Sequence, residues 1–166
     1  MRKIQIFCLL FFISCLNFAQ GQECACCTVN HIQFDFWVGD WEVFNTKGDK
    51  IGENLIKKLE DNCIINENWQ SVSGNSGNSY NYFDPKDSTW NQLWLSNDGT
   101  ILKLKGELVN NKMILKSEPV SSKKQVYYNQ ITWSPNSDGS VSQIWETYNT
   151  EDLLLNTLFN GIYKRK

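Results

Sequence analysis

The chain has 166 residues, a formal net charge of −2 and 13% aromatic residues, including seven tryptophans. No basic excess is present to bind nucleic acid. After the first residues no apolar run approaches the about 18 residues of a membrane-spanning helix, and the length suits one domain with a sizeable core.

The chain opens with Met1-Arg2-Lys3 and then runs apolar from Ile4 to Leu16. A positive start followed by a short apolar run and a small residue, Ala19, predicts a signal peptide over 1–19 and therefore an exported protein, periplasmic or secreted. The alternative is a lipid anchor at Cys15, because Phe12-Ile13-Ser14-Cys15 loosely follows a lipoprotein signal. A Cys-rich segment, 20–33, follows. With Cys8 and Cys15 in the signal region, four cysteines remain: Cys24, Cys26, Cys27 and Cys63. Export favours disulfides. One arrangement joins Cys24 to Cys27 and Cys26 to Cys63; a bond between the neighbours Cys26 and Cys27 would be strained. A metal or redox role remains open as an alternative, since Cys24, Cys26, Cys27 and His31 offer soft ligands of the kind that suit Zn or Cu(I).

Residues 34–44, with five aromatics and a Gly39-Asp40-Trp41 step, lead into a domain spanning 34–166. The segment 31–38 is expected as a short helical plug. From there, alternation of period two predicts strands at 40–45, 52–59, 63–72, 78–83, 89–95, 100–109, 112–117, 126–133, 140–148 and 154–163. Turn chemistry separates them, as in Asn97-Asp98-Gly99 and Asn110-Asn111. Ten short strands in hairpin succession are all-β, and a meander of that length hides its edges by closing into an antiparallel up-and-down barrel.

Phe34-Asp35-Phe36-Trp37-Val38-Gly39-Asp40-Trp41 resembles the opening of a family of small exported bacterial proteins of uncharacterised function. The resemblance continues through 61–69, 90–94, 143–146 and 159–163 and covers most of the exported part. Such proteins are similar to calycins, the lipocalin-like barrels, whose first strand carries a Gly-x-Trp. The resemblance implies an internal cavity for a small, mostly apolar molecule. Related barrels that hold haem use an axial histidine; the single histidine here, His31, precedes the barrel, so no histidine-held haem and no other cofactor is expected.

Three strands place a polar residue two positions before a tryptophan: Glu67 and Trp69, Gln92 and Trp94, Gln143 and Trp145. Spacing of two puts each pair on one face of its strand. If that face is inward, and Trp41, Tyr80, Tyr82, Asn129 and Trp133 join it, the barrel holds apolar walls with a few hydrogen-bonding groups, the chemistry of a pocket for a small apolar or amphipathic molecule. The competing reading is a filled core whose polar tips pair among themselves. Leu93 and Leu95, on the other face of their strand, argue for the opposite phase. An enzyme of isomerase or hydrolase type would rest on Glu67 alone, as a buried acid. No Gly-x-Ser-x-Gly and no second histidine support nucleophilic catalysis.

Overall fold

In the computed structural model, residues 24–122 and 125–166 are described. The expected signal segment 1–19, with Cys8 and Cys15, lies outside them. The strands are β1 (Gly39–Phe44), β2 (Lys50–Leu59), β3 (Ile64–Ser71), β4 (Ser76–Asp84), β5 (Thr89–Ser96), β6 (Ile101–Val109), β7 (Lys112–Lys116), β8 (Val120–Ser121), β9 (Val126–Pro135), β10 (Val141–Asn149) and β11 (Leu154–Arg165). Every pairing is antiparallel, and β1 on β11, β7 on β9 and β9 on β10 close ten strands into a barrel. The two-residue β8 is an extra, pairing with the start of β9 outside the ring.

Local chemistry explains the succession. Asn110 and Asn111 both take positive φ, the conformation a two-residue hairpin needs, and Gly99 and Gly139 supply it at two further turns. Register slips between Val43 and Phe44 and at two places between β10 and β11 mark bulges that help the sheet curve. Inward positions alternate with outward ones, cleanly so in β4 and β6.

The two ends of the barrel differ. The closed end is a packed aromatic floor. Residues 24–34 run through turns into a single 3-10 turn, Asp35–Trp37. This replaces the helix expected over 31–38: with three apolar rings in four positions the segment folds over the barrel end, and no helical face is needed. Phe34 stacks on Trp37 at 5.0 Å and meets Trp133 edge-on at 5.2 Å, while Trp37 meets Tyr163 at 6.4 Å. Such contacts add about 0.5–1.5 kcal/mol per pair beyond area burial.

Four further links bolt this plug down. The Trp41 indole donates to the Trp37 carbonyl at 2.9 Å. Trp90 donates to Gln33 Oε1 at 3.1 Å. Lys58 pairs with Asp35 at 2.7 Å. The Cys26–Cys63 disulfide ties the segment to the turn between β2 and β3, and Cys24–Cys27 closes a small loop beside it. This is one of the arrangements the sequence leaves open, and two disulfides suit an oxidising environment. Beside Gly39 the Arg165 guanidinium lies 4.4 Å over the Trp41 ring, so a methyl at this position would come within 2.6 Å of it and push it aside.

Candidate chamber at the open end of the barrel

Above the floor runs a belt of polar side chains. It crosses β5, β4, β3, β2, β11 and β10 as Gln92, Asn81, Ser79, Glu67, Asn54, Tyr163 and Gln143, all buried or nearly so. Gln92 Nε2 donates to Asn81 Oδ1 at 2.8 Å, and Asn81 Nδ2 to Ser79 Oγ at 2.9 Å and to the Ile65 carbonyl. Ser79 Oγ donates to Glu67 Oε2 at 2.7 Å. On the other side Asn54 Nδ2 donates to Glu67 Oε1 at 2.7 Å and to the Tyr163 hydroxyl at 3.3 Å, and Tyr163 donates to Gln143 Oε1.

Glu67 therefore receives one donor from each side, Ser79 and Asn54, while beyond Asn54 the second arm donates away from it, to Tyr163 and on to Gln143. Ser79 and Asn54 can serve it only as donors in this arrangement, which favours the carboxylate. Burial opposes them and dominates, holding the Glu67 carboxyl up at about 7. The Tyr163 hydroxyl is raised well above its ordinary value, by burial first and by the nearby Glu67 charge second. Asn54 Oδ1 is buried without a hydrogen-bond partner.

On top of the belt is a cavity of about 90 Å³, lined by Glu67, Trp69, Gln92, Trp94, Leu102, Ile131, Gln143, Trp145, Phe159 and Tyr163. One ordered water needs about 10–15 Å³ on the same scale, so the chamber holds several waters or one small functional group with its first carbons. Among the described residues Gln92 Oε1 and Gln143 Nε2 have no hydrogen-bond partner, and they offer one acceptor and one donor to an occupant. A wider vestibule of about 420 Å³ continues outward, sharing Leu102 and Trp145 with the chamber and adding Ile101, Tyr127, Asn129 and Leu158.

Glycines create the chamber. A methyl on Gly52 would come within 2.4 Å of Trp69, and one on Gly77 within 2.3 Å of Trp94. Each indole lies back against an inward glycine of an adjacent strand, so the rings clad the wall and leave the axis free.

Six of the sequence-derived candidates, Glu67, Trp69, Gln92, Trp94, Gln143 and Trp145, converge on the chamber. Asn129 lines the vestibule and accepts the Trp145 indole N–H at 2.9 Å. Trp41 and Trp133 also face inward, but they are wholly buried in the floor beneath the belt. Tyr80 and Tyr82 are corrections: both are 44% exposed on the outer face. The phase of β4 is set by Gly77, Ser79, Asn81 and Phe83, because Glu67 requires small polar neighbours there and two tyrosines would fill the chamber. Phe83, the apolar residue in step with them, is the signal for this phase. Asn54, Ser79, Asn81, Phe159 and Tyr163 complete the site without having been expected, since a single Asn or Ser in a strand carries no pattern of its own.

The cysteine cluster is elsewhere. Cys24, Cys26 and Cys27 are all engaged in disulfides and present no thiolate to a metal, and His31 contacts Thr28 and Phe83 near the closed end. Among the described residues no three His, Cys, Asp or Glu side chains converge in a way that would hold a metal ion.

The raised Glu67 sets a pH dependence of stability. Between about pH 4.5 and 7 the folded state holds a proton that the unfolded state has lost, so stability falls as pH rises through this window. At about 1.4 kcal/mol for each tenfold change in proton affinity, the loss approaches about 3 kcal/mol. Urea denaturation at pH 5 and pH 8 is expected to show this decline in the wild type and a much smaller one in Glu67→Gln. Equal slopes in the two proteins would contradict the assignment.

The architecture and cavity define a closed ten-stranded antiparallel barrel, consistent with a calycin-like fold, with one end packed and the other hollow. No protein-family model matches this chain, and no curated protein matches it.

Proposed function

We propose that this is an exported lipocalin-like binding protein that takes a small amphipathic molecule into the open end of its barrel. The observation that carries the reading is the gradient along the barrel axis. Polar groups at Glu67, Gln92 and Gln143 form the bottom, aromatic rings at Trp69, Trp94, Trp145 and Phe159 form the wall, and the vestibule beyond is edged by Ile101 and Leu158. A polar end seated on the belt and an apolar chain leading outward match that order. The predicted signal segment and the two disulfides support export.

Tryptophan fluorescence, titrated with medium-chain alcohols, aldehydes and carboxylic acids, tests the reading. Saturable changes from Trp69, Trp94 and Trp145 are expected. Gly77→Ala is expected to push the Trp94 ring into the chamber, to cost about 1–3 kcal/mol of stability as an overpacking change, and to weaken binding at least tenfold. No response to any of the compounds, or unchanged binding in Gly77→Ala, would count against it.

A second reading has one observation in its favour. Glu67 borders the chamber with a carboxyl held at about 7, the range in which a side chain both gives and takes protons near neutral pH. That suits a small isomerase or hydrolase. Turnover of a bound aldehyde or ester, lost in Glu67→Gln with binding retained, would favour catalysis over carriage.

A further inference from the structure

We infer that the chamber is selective for organic amines: a protonated ammonium head seated between the Glu67 carboxylate, the free carbonyl of Gln92 and the tryptophan wall, with an alkyl or aryl body extending into the vestibule. The inference rests on the proposed reading of the cavity as a binding site and names the class of its ligand.

Three observations carry it. First, Glu67 is 5% exposed and has no cationic partner: the ion pairs among the described residues join Lys50, Lys58, Lys105 and Lys166 to other acids. The groups that face it are neutral or acidic, namely Asn54 from β2, Ser79 and Asn81 from β4, Tyr163 from β11, and Gln92 and Gln143 at the ends of the belt. Tyr163 is the other titratable group among them, and its hydroxyl stays protonated. A buried carboxylate with no cation of its own gains most from a ligand that brings one.

Second, four aromatic rings surround the position above it: Trp69, Trp94, Trp145 and Phe159. The negative faces of indole and phenyl rings attract ammonium groups, most strongly where water is excluded. Third, the acceptor without a protein partner, Gln92 Oε1, suits an N–H donor that the carboxylate alone does not use up. Gln143 Nε2, a donor, is left to a water or to an oxygen on the ligand. The chamber's volume matches a head group rather than a whole ligand, which sends the body of the molecule toward Ile101 and Leu158.

The binding is linked to protons. An alkylamine is charged throughout the neutral range, so its attraction depends on Glu67 being ionised. Bound ammonium lowers the affinity of Glu67 for its proton, and amine binding below neutral pH therefore releases a proton to the buffer. A neutral alcohol of the same length does neither.

Isothermal titration calorimetry of the exported chain with n-octylamine and 1-octanol tests this, at pH 5.5 and pH 8.5 and in two buffers of different ionisation enthalpy. The expected result at pH 8.5 is at least tenfold tighter binding of the amine than of the alcohol. Amine affinity should fall at least tenfold at pH 5.5 with proton release, while alcohol affinity stays level. Glu67→Gln is expected to erase both the preference for the amine and its dependence on pH. If that variant does not fold, the buffer dependence in the wild type still decides. Alcohol bound as tightly as amine at pH 8.5 would overturn the amine assignment and leave the binding reading standing. Failure of both compounds to bind would overturn the two together.

Discussion

Trp37→Ala is expected to destabilise the protein by about 3–5 kcal/mol, the range for removing a fully buried large aromatic side chain. Trp37 is the centre of the floor. Its ring is stacked on Phe34 and touches Trp133 and Tyr163, and its carbonyl receives the Trp41 indole N–H. Collapse cannot fill the hole cheaply, because the neighbouring rings are held by the barrel wall. Tyr163 also rests on Trp37 from above, so the variant is expected to loosen the Asn54–Tyr163–Gln143 arm of the belt and to weaken ligand binding as well. Chemical denaturation with a parallel binding titration checks both. A cost below about 1 kcal/mol would mean that residues 34–37 are an appendage to the barrel and not part of its cooperative core.

Removing the Cys26–Cys63 disulfide by replacing both residues with Ala is expected to cost about 4 kcal/mol, by the chain-entropy relation for residues 37 apart. The same relation gives only about 2 kcal/mol for Cys24–Cys27, which spans a separation of 3. The difference has a structural meaning. Cys26–Cys63 joins the plug to the turn between β2 and β3, whereas Cys24–Cys27 closes a loop within the plug itself. Thermal denaturation of the two double variants should rank them in that order. Hydrogen exchange should show amides of residues 24–38 losing protection in the first variant and keeping it in the second. Equal destabilisation by the two replacements would remove the role given to Cys26–Cys63 as the tether of the floor.

These expectations depend on features that the sequence reveals unequally. The barrel is readable because period-two alternation and turn residues such as Asn110-Asn111 act locally, and each strand declares itself within a few residues. The convergence of Glu67, Gln92 and Gln143 with Trp69, Trp94 and Trp145 is readable for the same reason: residues two apart share a face wherever the strand lies. Height along the barrel axis is not readable. Trp41 and Trp133 face inward, yet the stagger between strands sinks them into the floor, and a single strand carries no mark of that stagger. The question of a filled or hollow interior had no single answer, since the lower half is packed by Phe34, Trp37, Trp41 and Trp133 while the upper half is open.

Strand β4 illustrates a different failure. Tyr80 and Tyr82 look like the inward residues by size and aromaticity, but Ser79 and Asn81 occupy those positions because Glu67 requires them. Local hydrophobicity points one way and the hydrogen-bonding needs of a charge on the next strand point the other. The second wins, because a buried carboxyl without partners costs several kcal/mol and an exposed tyrosine costs little. A polar residue displacing an apolar one from a barrel interior is therefore itself a marker of the site.

The open half of the barrel is a hollow chamber floored by Glu67, Gln92 and Gln143. A crystal structure of residues 20–166 soaked with an ω-bromoalkanol, with bromine located by anomalous scattering, tests this. The expected result is a hydroxyl end within hydrogen-bonding distance of the belt and a bromine peak in the vestibule near Ile101 and Leu158. Trp69, Trp94 and Trp145 packed across the axis, with no bromine inside the barrel, would contradict it.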